Sequence, residues 1–231
     1  NRDDSLALAF LGGYNDVTLG SYREDGDYAR QVCWDYQYIP IELPDNMGNA
    51  WTQTGTGTAD VNNGYLSIDT TTNGFRYFQT PPGTVSEGIA VHFGVRYVSP
   101  TGGLGADRVF LRLTQADGGD KHTADIYIRE NLVKVQDNNG GTVKGSLSID
   151  TTGTYGVEVL AFFKNGKISC FARDRNGAAD KQWQTVCTNQ SISDSGSGSS
   201  EIRFGHNAAT TAVSHWFFVN YVSDEYAGGT E

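Results

Sequence analysis

The stretch IAVHFGVRYV (89–98) alternates apolar and polar side chains with a period of two, and this alternation decides the fold class. The apolar side chains of Val91, Phe93, Val95 and Tyr97 fall on one side of this pattern, and His92 and Arg96 fall on the other. Because successive side chains of a strand point to opposite faces of a sheet, this pattern predicts a β-strand with one buried face.

Two stretches downstream repeat the pattern, DRVFLRLT (107–114) and ADIYIR (124–129). Their apolar alternations consist of Val109, Leu111 and Leu113, and of Ala124, Ile126 and Ile128. The opposite alternations hold Arg108, Phe110 and Arg112, and Asp125, Tyr127 and Arg129. We expect the three strands to lie side by side, so that their second faces form one surface rich in arginine.

The rest of the chain indicates an all-β protein. Asn-Gly and Gly-Gly pairs separate short alternating runs, which is typical of hairpins, and no segment has the periodicity of an amphipathic helix. The pattern predicts thirteen strands, at 58–61, 64–69, 74–79, 88–98, 107–115, 123–129, 131–136, 144–149, 154–164, 167–174, 181–187, 201–206 and 214–222. So many short strands require two packed antiparallel sheets, a β-sandwich.

The domain organisation follows from length and composition. A β-sandwich often reaches 231 residues as one globular unit. Residues 1–45 are rich in aromatic and acidic side chains and alternate only weakly, so we expect them to pack on the sandwich formed by residues 46–231. No apolar run approaches the roughly 20 residues that a membrane-spanning helix needs.

The charge balance limits the partners. The chain has 17 Lys and Arg against 27 Asp and Glu, a formal net charge of −10. This balance argues against a general nucleic-acid or anionic-membrane binder, although a local basic groove is compatible with it.

The three cysteines leave an odd count. Cys170 and Cys187 flank a hairpin whose turn lies near Asn176–Gly177, which brings them close to opposition. Two interpretations stay open, a disulfide with Cys33 free, or two buried thiols. A disulfide would indicate an oxidising compartment and a secreted or cell-surface protein.

Three segments resemble the concanavalin A-like lectin/glucanase superfamily, particularly its laminin-G-like relatives. They are NAWTQTGTGTADVNNGYLSID (49–69), YGVEVLAFFKNGKISCFARDRNGAADKQW (155–183) and SEIRFGHNAATTAVSHWFFVNYVS (200–223). The resemblance covers roughly residues 46–223 and implies a jelly roll of two antiparallel sheets whose concave face often holds a sugar polymer. Its motifs are mostly structural, so they bear on the fold more than on the function.

If the polar and aromatic sides of these three strands lie on such a concave face, they predict a ligand site. Its residues are His92, Arg96, Arg108, Phe110, Arg112, Asp125, Tyr127 and Arg129. Arginine suits carboxylate or sulfate groups, and the two aromatic rings suit stacking on sugars. We therefore expect binding of an acidic polysaccharide. The alternative is a solvated face on which cross-strand Arg–Asp pairs neutralise one another.

Catalysis is a second hypothesis. A polysaccharide lyase acting by β-elimination on a uronate polymer would use His92, Arg112, Tyr127 and Arg129 to neutralise the carboxylate and move protons. The Arg-x-Glu-x-Arg strand of alginate lyases is absent, since residues 108–112 are RVFLR. The paired carboxylates of glucanases on one strand are also absent. A structural or adhesive module of a phage fibre or surface adhesin is a third hypothesis.

A structural calcium ion is implied by the resemblance, with Glu42 and Asn220 in comparable places, and REDGDYAR (23–30) resembles half of a calcium loop. Solvated turn carboxylates are the alternative. Trp51, Trp183 and Trp216 are expected in the core rather than on a sugar platform.

Overall fold

The computed structural model describes residues 17–20, 29–32, 36–46, 51–70, 74–79, 88–99, 107–176, 182–207 and 211–222. Within them the chain is almost entirely strand, and the one helical element is a single 3-10 turn at Pro44–Asn46. The strands are β1 (Val17–Gly20), β2 (Ala29–Val32), β3 (Tyr36–Tyr38), β4 (Thr52–Thr54), β5 (Thr58–Asn62), β6 (Tyr65–Thr70), β7 (Arg76–Gln79), β8 (Ile89–Ser99), β9 (Val109–Ala116), β10 (Lys121–Arg129), β11 (Leu132–Asp137), β12 (Val143–Ser148), β13 (Val157–Lys164), β14 (Lys167–Asp174), β15 (Gln184–Ser191), β16 (Glu201–His206) and β17 (Ala212–Val222).

These strands form two large antiparallel sheets. The first sheet has the order β12-β11-β10-β9-β16-β7-β4. The second has the order β15-β14-β13-β8-β17-β6-β5, and β3 also pairs with β17. A separate pair, β1 with β2, makes a small antiparallel sheet. The all-β two-sheet sandwich that the sequence predicted is therefore confirmed, and each of the thirteen predicted strands lies on an observed strand.

Two of the Asn-Gly pairs form the hairpin turns that the sequence predicted. The β5–β6 turn has Asn63 at φ 51° and Gly64 at φ 80°, and the β13–β14 turn has Asn165 at φ 52° and Gly166 at φ 65°. Left-handed backbone at both central residues matches the twist of the flanking strands, and Asn and Gly adopt it at the lowest steric cost.

One hydrophobic core lies between the sheets. The apolar alternations of β8, β9 and β10 all belong to it, including Phe93, Leu111 and Ile126, which are fully buried. Trp51 and Trp216 lie in the core at 4% and 0% exposure, as expected from the sequence. Trp183 is different, because it is half-buried and lies outside this core.

His206 links the two sheets inside the core. It ends β16 of the first sheet, and both of its ring nitrogens bond hydroxyls of the second sheet, Nδ1 with Thr70 Oγ1 at 2.9 Å and Nε2 with Ser214 Oγ at 2.7 Å. Trp216 Nε1 also donates to Ser214 Oγ, at 2.9 Å. Burial lowers the pKa of His206 to about 3.

Candidate functional site

The eight predicted ligand residues are divided between the two sheets. β9 and β10 are neighbours in the first sheet, which keeps Phe110, Arg112, Asp125, Tyr127 and Arg129 together, with Arg108 just before β9. β8 lies in the second sheet, so His92 and Arg96 are on the other side of the sandwich. The expectation that the three strands lie side by side is wrong. Alternation defines the two faces of a strand but does not say which sheet the strand joins, and in Greek-key sandwiches the chain changes sheets between strands.

The outer face of the first sheet carries a cluster of cations, which we call the arginine face. It consists of Arg76, Arg112, Arg129, Arg203 and Lys134, accompanied by the carboxylates of Asp107, Asp125 and Glu201. The strand register brings the cluster together, because Arg112 is paired with Asp125 on one side and with Arg203 on the other.

Asp125 is the buried anchor of the arginine face. Its side chain is fully buried and accepts hydrogen bonds from Arg112 Nε (2.6 Å) and Nη2 (2.8 Å), from Tyr127 Oη (3.0 Å) and from Asn138 Nδ2 (2.9 Å). Burial alone would lower the pKa of Arg112, but the hydrogen bond and charge of Asp125 raise it overall. Burial, followed by the charge of Asp125, raises the pKa of Tyr127. The tyrosine proton is therefore held on the phenol, and Arg112 is fixed in orientation.

A second ionic group lies beside this anchor. Arg129 Nε and Lys134 Nζ each donate to one oxygen of Asp107, both at 2.6 Å, and Lys134 also donates to Gln136 Oε1 at 2.7 Å. The predicted cross-strand neutralisation therefore exists in part, but Asp125 and Lys134 are buried rather than solvated.

The aromatic residues of the arginine face lie beneath its cations. The guanidinium of Arg112 is 5.5 Å from the ring centre of Phe110, and Lys134 Nζ is 4.9 Å from that of Tyr127. The two rings are 1% and 4% exposed. They support the cations by cation–π contact rather than offering open faces for sugar stacking, which corrects the expectation drawn from the sequence.

Arg76 is the cation with the least compensation. Its Nε is shielded from water and has no hydrogen-bond partner among the residues that the structure describes. Burial lowers the pKa of Arg76, and the positive charges of Arg203 and Arg112 lower it further, whereas Glu201 opposes them. Glu201 already accepts a hydrogen bond from Arg203 Nη2 at 2.7 Å. An anion near Arg76 would relieve this excess of positive charge.

Arg108 and Arg96 are engaged by backbone oxygens. Arg108 Nη1 donates to the Thr211 carbonyl at 2.6 Å, and Arg96 Nε donates to the Thr152 carbonyl at 2.9 Å. Both residues were predicted to contact a ligand, and these bonds give each a structural role, Arg108 with the residue before β17 and Arg96 with the segment between β12 and β13.

His92 belongs to a separate charged group on the second sheet. Its Nε2 is 3.7 Å from Glu158, which Arg173 also binds and to which Arg175 Nε comes within 3.4 Å. Burial raises the pKa of Glu158, but His92 and the two arginines outweigh this and lower it overall. The set proposed for a lyase therefore does not meet in one site, because His92 is in a different sheet from Arg112, Tyr127 and Arg129.

The residues suggested for calcium do not complete a site. Glu42 is exposed, and its carbonyl accepts a hydrogen bond from Tyr38 Oη at 3.1 Å. Asn220 on β17 has a buried Oδ1 without a partner among the described residues, which offers one oxygen where calcium needs six to eight. The described part of the chain contains no group of three or more His, Cys, Asp or Glu that could hold a metal. The half loop at 23–30 lies largely outside the described residues.

Cys170 and Cys187 face each other across β14 and β15, as the hairpin predicted. Both are buried free thiols in this structure, which corresponds to the second of the two interpretations. Burial raises the pKa of Cys170 and raises that of Cys187 to about 11. Cys33 lies outside the described residues.

Sequence reasoning missed three cations of the arginine face, Arg76, Arg203 and Lys134. The signal was present, because FRYFQ (75–79) and EIRFGH (201–206) place an arginine opposite apolar neighbours, as β9 does. Lys134 shows the same alternation within LVKVQD (132–137). What the sequence lacked was the order β10-β9-β16-β7, which joins strands far apart along the chain.

Comparison with known proteins supports the fold. No protein-family model matches the chain, and no curated protein sequence does. A Bacillus subtilis protein of unknown function with a galectin-like fold is similar in structure, with a TM-score of 0.51 and 9% identity over 81% of this chain and 94% of that one. The GH43 BlXynB protein of Bacillus licheniformis has a TM-score of 0.51 and 12% identity over 84% of this chain, which spans only 41% of that protein.

A third similar structure is the binding domain of botulinum neurotoxin serotype D, with a TM-score of 0.50 and 14% identity over 83% of this chain and 48% of that one. At these identities the likeness concerns the fold alone. Among the described residues no helix is long and apolar enough to cross a membrane. The chain therefore has a two-sheet antiparallel β-sandwich fold similar to that of these three structures.

Proposed function

We propose that this protein binds carbohydrate, and that the ligand of the arginine face is an acidic polysaccharide. The jelly-roll fold is shared with lectins and favours carbohydrate as the ligand class. The acidic character of the ligand is inferred from the residues of the face itself.

The observation that carries the proposal is the local excess of positive charge. Five cationic side chains stand with three carboxylates on the arginine face, an excess of two, in a chain whose net charge is −10. Burial and then the positive charges of Arg203 and Arg112 lower the pKa of Arg76. Shielding its Nε from water without a hydrogen-bond partner among the described residues costs free energy, so a face selected only for stability would not be expected to contain it.

The geometry suits a carboxylate or sulfate group. Asp125 orients Arg112 from below by a bidentate contact, and Glu201 holds Arg203, so neither guanidinium needs to be ordered when a ligand binds. Pre-organised guanidinium groups bind planar anions through two parallel hydrogen bonds. The side chains of Arg112 and Arg203 are 21% and 22% exposed, so a ligand can reach part of each.

The same geometry does not favour cleavage on this face. A β-elimination needs a group that takes the C5 proton, yet the pKa of Tyr127 is raised and its hydroxyl donates to Asp125. His92, the other proposed proton carrier, lies in the second sheet.

The test is a binding titration with polygalacturonate and alginate as probes. We expect Arg76→Gln to weaken affinity by about tenfold, which corresponds to ~1.4 kcal/mol. Lys167→Gln is the matched control, because Lys167 is an exposed cation on β14 of the second sheet and its removal changes the net charge equally. We expect its affinity to equal that of the unmodified protein.

If both substitutions weakened the affinity equally, binding would depend only on the net charge of the protein, and the arginine face would not be the site. Failure of the unmodified protein to bind either uronate polymer at low ionic strength would reject the acidic ligand, and would favour a structural or adhesive module. If the protein released unsaturated ends from either polymer, detected by their ultraviolet absorbance, it would be a lyase rather than a binding protein.

A further inference from the structure

The outer face of the second sheet carries two groups of rings, bridged by Arg175, which together we call the aromatic track. It consists of Tyr65, His215, Phe217, Phe218, His92 and Trp183. Five of the six are half-buried rather than buried, and His92 is 8% exposed. These rings take no part in the arginine face, which lies on the other sheet.

Within each group the rings lie at contact distance. Tyr65 stacks on His215 with ring centres 4.0 Å apart and meets Phe217 edge-on at 6.2 Å. Farther along, His92 meets Phe218 at 4.7 Å and Trp183 at 6.1 Å. β6, β17 and β8 are adjacent strands about 4.8 Å apart, and Trp183 lies just before β15, at the edge of the same sheet.

Two arginines hold the rings in place. The guanidinium of Arg175 lies 4.7 Å from the ring centre of Phe217 and 5.6 Å from that of Phe218, and that of Arg173 lies 5.1 Å from Trp183. Gly94 makes this arrangement possible, because a Cβ there would stand 2.7 Å from the Phe218 ring and 2.9 Å from Arg175 Nη1. The rings are therefore fixed against the sheet before any ligand arrives.

One carboxylate beneath the track, that of Glu158, engages both of its arginines and leaves one positive charge in excess. Glu158 accepts Arg173 and has Arg175 and His92 within ion-pair distance. Burial lowers the pKa of His215 to about 4, with a further contribution from Arg96, so its ring is neutral at pH 7. Because Glu158 engages both guanidinium groups, we expect the rings rather than these charges to contact a ligand.

Two donors on the track lack acceptors among the described residues. They are Arg175 Nη1 and Trp183 Nε1, both shielded from water. An unpaired donor shielded from water costs free energy, and a ligand oxygen would reach it only if the side chains that cover it moved.

We propose that the aromatic track is a second binding surface, and that it takes an extended uncharged oligosaccharide. The C–H groups on a sugar ring face carry partial positive charge and stack on the negative face of an aromatic ring. The protein would then hold an acidic polymer on one sheet and a neutral glycan on the other.

The test follows the indole N–H signals in a two-dimensional nitrogen–proton NMR spectrum during titration with cellohexaose, mannohexaose and laminarihexaose. Trp183→Phe assigns the Trp183 signal. We expect at least one hexasaccharide to shift this signal at concentrations up to about 10 mM, while the signals of buried Trp51 and Trp216 remain in place.

Variants separate a binding role from a structural one. Trp183→Ala and Phe217→Ala should each weaken the neutral hexasaccharide by about tenfold or more, and Trp183→Phe should retain most of the affinity because it keeps an aromatic face. Tyr155→Ala is the control, since it removes an aromatic side chain that is 56% exposed and lies outside the track. Arg76→Gln should leave this binding unchanged.

Absence of any shift with all three hexasaccharides would overturn the proposal. So would an affinity of Trp183→Ala equal to that of the unmodified protein, which would place the ligand elsewhere. Because the two surfaces lie on different sheets and their probes differ in charge, failure of the aromatic track leaves the uronate titration unaffected, and failure of the arginine face leaves this one unaffected.

Discussion

Replacing His206 by glutamine should make the protein less sensitive to acid. His206 is fully buried between the sheets, where Thr70 and Ser214 bond its two ring nitrogens. A neutral imidazole has one donor and one acceptor, so it satisfies both hydroxyls, whereas the protonated ring would place a charge in the core. Glutamine also has a donor and an acceptor but does not titrate.

The size of the effect follows from the pKa difference. The folded-state pKa of His206 is about 3, and an unperturbed histidine has a pKa of about 6.5. The unfolded chain therefore binds the proton first as pH falls, so the stability that the neutral ring contributes is full above about pH 6.5 and is lost progressively down to about pH 3. Between pH 7 and pH 5 the loss amounts to about 2 kcal/mol.

The assay is urea unfolding of both proteins at pH 7, 6 and 5. Other titrating groups are common to the two proteins, so their contributions cancel in the difference between the two pH profiles. We expect the unmodified protein to lose about 2 kcal/mol more than His206→Gln between pH 7 and pH 5. His215→Gln should remove a smaller part of the acid sensitivity, because that ring is half-exposed. Parallel profiles for the unmodified protein and His206→Gln would refute the buried neutral imidazole.

Three further substitutions or treatments test the packing around the candidate site. Asp125→Asn should lower the free energy of unfolding by about 3 kcal/mol, because it removes the bidentate partner of Arg112 from a buried position. If denaturant unfolding showed no difference beyond experimental error, the anchor role of Asp125 would be contradicted. Gly205→Ala should be strongly destabilising or prevent folding, because φ is 133° and the added Cβ would lie 2.4 Å from the Phe75 carbonyl oxygen; a normal melting temperature would contradict this backbone. Cys170 should resist a thiol reagent until denaturant is added, because its thiol is buried and its pKa is raised; rapid labelling of the native protein would show that β14 opens.

The strands and their buried sides were predictable because both depend on local sequence. Residues such as Val91 and Leu111 alternate with polar neighbours, and Asn-Gly pairs mark the turns. The Arg112–Asp125 pair was also within reach, since β9 and β10 are consecutive strands joined by a short turn and their register follows from it.

The composition of the site was less predictable because it depends on which strands are neighbours. Arg76 and Arg203 come from distant parts of the chain and meet Arg112 only through the order β9-β16-β7. His92 was assigned to the wrong side because the alternation of β8 is compatible with either sheet. Exposure was a further difficulty, since a ring such as Phe110 on the outer face is buried by the cation above it.

The central claim, that the arginine face recognises the negative charge of a polysaccharide, is tested most directly with one polymer in two forms. Calorimetric titration would compare polygalacturonate with the same polymer after reduction of its carboxylates to alcohols, at one ionic strength. The account predicts that the native polymer binds and that reduction weakens binding by at least about tenfold. Equal affinity for the two forms would contradict the account, because the arginines would then contribute nothing that a neutral sugar does not receive.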